Sequence, residues 1–145
     1  MAKGSKKARL TMARLVVVQM LYRQTYDEAS AMTVLTDLRD NGFMLEEGIE
    51  WVDPDLDHLA NTLRGIDAHK DVINEALKAH MAEDHLKDRL LSSIIKAGAY
   101  ELIYNQDTDT ALIISEYLTI ASSFFEGKES TLINAILDKI AKSAR

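Results

Sequence analysis

Residues 94–103 read IIKAGAYELI, and their pattern decides the fold. The apolar residues do not alternate with period two. Wound at 3.6 residues per turn they cover nearly the whole circumference, the mark of a helix buried at the centre of a domain. Gly98 in the middle would let another helix approach closely. The run is far short of the roughly 20 apolar residues of a membrane span.

Working outward, residues 9–25 have the same character, with Leu10, Ala13, Val17, Val18 and Leu21 spread around a second buried helix. Residues 28–40 carry Met32, Leu35 and Leu38 at spacings of three, an amphipathic helix ended by Asn41-Gly42. Residues 42–52, with two glycines and Trp51, read as the one long connection. At VDPDLDHL (52–59) Asp53 can cap a helix, Pro54 suits its first position, and Asp55 and Asp57 favour its dipole. The spacing from Leu56 to Met81 then predicts one helix of about 28 residues, or two with a bend near Gly65. Residues 86–105 predict another helix, straight or broken near Arg89. Asp109 or Thr110 caps the next, which ends at Gly127, and a last one spans 129–142. No internal repeat, low-complexity stretch or second domain appears. The expected fold is all-α, a compact bundle of six to seven helices, with residues 1–8 a flexible basic arm and 9–145 a single domain.

Composition limits function. A chain of 145 residues with 47% apolar and 28% charged residues can bury a full core, and with no cysteine it has no disulfide, thiol nucleophile or thiolate metal site. Six glycines and one proline favour long helices. The net charge of −6 hides an asymmetry: six of the first 23 residues are Lys or Arg, and the first acid is Asp27. A basic start on an acidic body suits either a polyanion contact or a solvated end. It is not a secretory signal, because LVVVQML is broken by Gln19 and no small-residue cleavage pattern follows. The expected location is cytoplasmic.

No phosphate-binding glycine loop or nucleophile motif occurs, which argues against an enzyme, and no cofactor is expected. His58, His69 and His80 recur every eleven residues, about 16 Å apart along a continuous helix. Metal ligands on a helix sit one turn apart, so these read as solvent-facing polar residues and no metal is expected. Lys6, Lys7, Arg9 and Arg14 could neutralise several phosphates, and Lys7 and Arg14 share a face if the helix reaches that far. Tyr22, Tyr26, Tyr100 and Tyr104 offer stacking surfaces for single-stranded bases, though each also suits the edge of a core.

Four stretches together resemble the NusB family of bacterial transcription antitermination factors: ARLVVVQMLY (13–22), IIKAGAYEL (94–102), IISEYLTIASSF (113–124) and LINAILDKIAK (132–142). Their order and spacing agree with that family, and the likeness covers nearly the whole chain, weakest over 27–52. The resemblance implies a helical domain that binds a short single-stranded RNA element, boxA, in ribosomal RNA leaders. It implies a small ribosomal protein, NusE, as partner and an RNA polymerase antitermination complex as destination. A homodimer through an apolar helix surface is compatible with it, and no membrane is involved. The RNA-binding residues it suggests are Lys6, Lys7, Arg9, Arg14, Lys128 and Asn134; the partner-binding ones are Tyr22, Leu91, Tyr100 and Glu101.

The chain also departs from that family. Leu10, Thr11, Met12, Ala111 and Thr131 stand at usually basic positions, and Ser115 replaces an Asn beside the retained Glu116. Each lost cation removes a phosphate contact. The alternative reading is therefore a NusB-like protein-interaction adaptor that has lost most of the RNA-binding surface.

Overall fold

The computed structural model describes residues 4–28, 30–41 and 51–145. Among them are eight helices and no strand: α1 (Lys6–Gln24), α2 (Ala31–Asn41), α3 (Leu56–Ala68), α4 (Lys70–His80), α5 (Glu83–Leu86), α6 (Arg89–Tyr104), α7 (Thr110–Ser122) and α8 (Lys128–Ala144). The helix carrying IIKAGAYELI is the hub: α6 touches every other helix except α2, which packs on α1. Ile94, Ile95 and Leu102 of α6, Ile113 and Tyr117 of α7, and Ile133, Leu137 and Ile140 of α8 are all buried in one core. At about 1.5–3 kcal/mol per fully buried large aliphatic side chain, this centre dominates the stability. Gly98 faces Leu137 and Tyr117, and a Cβ there would come within 2.9 Å of a Leu137 methyl.

The helix expected over 56–81 is two, and a short α5 precedes the one expected over 86–105, so the described residues hold eight helices instead of six to seven. The cut falls at His69, not Gly65: His69 caps α3 at one end and starts α4 at the other. Gly65 stays helical because its missing side chain makes room for the Tyr100 ring, whose hydroxyl would lie 2.0 Å from an added Cβ. The helix expected over 86–105 takes its alternative with a break near Arg89, where the Asp88 carboxylate accepts from the Leu91 amide at 3.0 Å and opens α6. Likewise Asp55, not Asp53, caps α3, accepting from His58 N at 2.9 Å.

The ends shift as well. α1 begins at Lys6, where Ser5 accepts from the Ala8 amide at 3.1 Å, so Lys6 and Lys7 lie on its first turn. The connection expected over 42–52 falls mostly at 42–50, outside the described residues. α7 stops at Ser122, short of Gly127, which holds φ +74° ahead of α8. Arg145 closes the bundle. Its guanidinium donates to the carbonyls of Glu101, Leu102, Asn105 and Thr108 at 2.8–3.3 Å, tying α8 to the end of α6 and the turn beyond it, where a cation suits the helix dipole. No described helix is long and apolar enough to cross a membrane.

Candidate nucleic-acid interface

The first turn of α1 presents Lys6 and Lys7 to solvent, and no acid lies in that turn. Cations at the positive end of a helix dipole oppose the helix, so an anion at this pole would be favourable. Lys7 borders a groove of about 340 Å³ whose walls include Ala8, Thr11, Met12, Thr119 and Ser123. Thr119 also lines a second groove, of about 770 Å³, between α7 and α8, with Ala111, Ser115, Ser122, Asn134 and Asp138. The two grooves adjoin at Thr119, with Lys7 on the first and the exposed Asn134 on the second. The second groove has apolar walls from Ala111, Ile114 and Leu118, and its polar groups are hydroxyls, an amide and two carboxylates (Asp109 and Asp138), with no Lys or Arg among the described lining residues.

Arg9 points elsewhere. Its Nε donates to the Asp53 carbonyl at 3.3 Å, and its side chain lines a separate pocket against α2 and residues 51–56. Lys128 is exposed at the start of α8.

Arg14 is not on the surface. It shares a face with Lys7 and Thr11, but the stripe runs inward: Lys7 is exposed, Thr11 half-buried and Arg14 only 3% exposed. Its guanidinium grips Glu101 with a two-point contact, Nε to Oε2 at 2.8 Å and Nη2 to Oε1 at 3.0 Å, and reaches Glu116 Oε1 at 2.8 Å. Thr11 Oγ1 donates to the same Glu116 oxygen at 2.7 Å. Glu101 also accepts from the Tyr117 hydroxyl and, at 3.0 Å, from Asn105 Nδ2. The expected contact of Arg14 with RNA is thus corrected: a buried charge must be paired, and this one is.

Burial alone would push the Glu101 carboxyl up, but the Arg14 guanidinium and the Tyr117 hydroxyl outweigh it and hold it below the usual carboxylate range. Burial, with Glu101 alongside, carries the Tyr117 hydroxyl well above the ordinary tyrosine value. His58 departs from the solvent-facing reading. Its Nε2 is buried 3.6 Å from Glu101 Oε1, and burial lowers its pKa although Glu101 pulls the other way.

The expected partner residues divide similarly. Leu91 and Glu101 are 2% and 0% exposed, inside the core, and a partner cannot reach them. Tyr22 is half-buried, its ring edge-on to Tyr26 at 5.3 Å. Tyr100 lies over Gly65 and stacks on Tyr104 at 5.4 Å, and Tyr104 stacks on His69 at 4.0 Å. No group of three or more His, Asp or Glu among the described residues is placed to hold a metal.

The residues that sequence reasoning missed or misplaced are the members of the buried cluster. The available signal was three charged side chains, Arg14, Glu101 and Glu116, set within otherwise apolar helical stretches.

Fold and cluster define a class: an all-helical domain wrapped around one central helix and locked by a buried Arg–Glu–Tyr network. The chain belongs to the NusB family, whose model matches residues 11–142. It is 33% identical over 149 residues to the transcription antitermination protein NusB of Novosphingobium aromaticivorans, covering all of both chains. It is 34% identical over 146 residues to that of Caulobacter vibrioides, covering 98% of each, and 31% identical over 138 residues to that of Sphingopyxis alaskensis, covering 92% of each.

Proposed function

We propose that this chain is a transcription antitermination factor that binds a boxA-type single-stranded RNA of ribosomal RNA leaders, together with the ribosomal protein NusE. Family membership supports the antitermination role. The observation that supports RNA contact is the pair of grooves that adjoin at Thr119, one bordered by the exposed Lys7 and the other by hydrogen-bonding side chains including Asn134. Phosphates are held at the basic groove, and the neutral-to-acidic groove suits base edges and sugar hydroxyls.

The same groove supplies the case for a protein adaptor, since it lacks the cations that a phosphate backbone wants. Titration of a labelled boxA-like RNA and a scrambled control, with and without NusE, at two salt concentrations separates the two. Selective binding, enhanced by NusE and weakened by salt, is expected. Lys6→Ala/Lys7→Ala should then lower affinity and flatten the salt slope by about 1.4, two contacts at about 0.7 each. Equal or absent binding of both RNAs, even with NusE, would move the function to protein partners.

A further inference from the structure

We infer that a second nucleotide seat lies on the opposite flank of α1, built by Arg9, Arg39 and Trp51, and that it holds one unpaired nucleotide of the bound RNA; the inference rests on the RNA-binding reading. The pocket has a volume of about 360 Å³, within the size range of small-ligand sites. Leu35, Pro54 and Leu56 complete its apolar wall, and Leu56 stays 59% exposed at the lip.

Its charged side chains are Arg9, Arg39 and Asp53, and the two guanidiniums are the groups that would receive an anion. Arg9 is anchored through Nε to the Asp53 carbonyl at 3.3 Å, and Arg39 through Nε to its neighbour Asp40 at 3.2 Å. Among the described residues neither guanidinium bonds through its terminal nitrogens, so two anchored forks present open donors, the geometry that suits phosphate. Trp51 Nε1 donates to Asp53 Oδ1 at 3.2 Å, which fixes the indole and turns that carboxylate to its edge. The Asp55 amide donates to the Arg9 carbonyl at 3.0 Å and pins the segment to α1. An indole and two guanidiniums lining one pocket suit a base with its phosphate. An acidic peptide would satisfy the guanidiniums and leave the apolar wall unused.

Trp51 is the single tryptophan, so its emission reports on this pocket alone. The full chain is titrated with a boxA-like RNA oligonucleotide, following tryptophan emission and, separately, the anisotropy of the labelled RNA. Quenching should saturate with the same Kd as anisotropy. Arg39→Ala and Trp51→Leu should each weaken binding roughly tenfold, and Trp51→Phe should restore most of it, because stacking survives. Arg39→Ala should flatten the salt slope by about 0.7 and Trp51→Leu should leave it unchanged. Lys78→Ala, on exposed α4, serves as the control. If RNA binds by anisotropy but emission is unmoved and Arg39→Ala matches the control, the pocket assignment is overturned and the RNA reading stands. If no RNA binds at all, both fall. If a polyglutamate peptide quenches Trp51 in an Arg39-dependent way and RNA does not, the seat belongs to a protein partner.

Discussion

Arg14 shows how one side chain can trade a surface role for a structural one. Among the described residues Arg14 is the one cation hydrogen-bonded to the buried carboxylates of Glu101 and Glu116, so the cluster depends on it. Arg14→Met should cost about 3–5 kcal/mol, because two carboxylates lose their partner inside the core. Urea denaturation measures it, and a loss under 1 kcal/mol would mean the pair is not buried in solution. His58 makes a separate pH prediction. The groups facing it are Asp55 on its own side, Glu101 from α6, Arg14 from α1 and Glu116 from α7. Its folded pKa is lowered, so the unfolded chain takes up its proton first as pH falls. Stability is therefore full above about pH 6.5, the unfolded value, and declines below it. Glu101, held low in the fold, adds a loss of the same sign further into acid. His58→Gln should remove the decline between pH 7 and 5 and leave the more acidic one, as thermal melts across pH would show.

At the scale of the helices, the junction of α3 and α6 turns on a glycine. Gly65 does not bend its helix; it accepts the face of Tyr100, which in turn holds Tyr104 against His69. Gly65→Ala should therefore cost about 1–2 kcal/mol, the overpacking penalty less the gain in helix propensity. In a Tyr100→Ala background the same change should instead stabilise by up to about 1 kcal/mol. Equal effects in the two backgrounds, read in a double-mutant cycle, would rule the contact out. The element boundaries follow the same logic. Residues 56–81 have an unbroken apolar spacing, and nothing local marks His69 as the turning point; only packing of α4 against α6 and α8 sets it.

For the molecule as a whole, the basic start divides around α1 instead of forming one patch. Lys7 borders the groove against α7 and Val52, and Arg9 borders the pocket against α2, Trp51 and Asp53. Two positions apart on a helix means about 200° of rotation, so neighbours in sequence serve opposite flanks. An RNA strand bound at both would have to cross the α1 pole, where Lys6 and Lys7 are exposed. The salt slopes expected of Lys6→Ala/Lys7→Ala and Arg39→Ala would register the two stations of such a path separately.

The sequence by itself determined the helical class, the central place of 94–103 and the family, because hydrophobic periodicity and motif order are written along the chain. It located Lys6, Lys7 and Asn134, which stay at the surface. Only the tertiary structure decided which charges are for solvent and which for the core. Arg14 and Glu101 are 87 positions apart, and Glu116 lies beyond both, so their meeting inside the bundle leaves no local trace beyond a charge among apolar neighbours. The same holds for Arg39 and Trp51. They belong to segments with no shared periodicity, and they face one pocket because α2 and the start of α3 both pack on α1. Periodicity tells a helix which side to bury; it does not tell a buried charge where its partner will be.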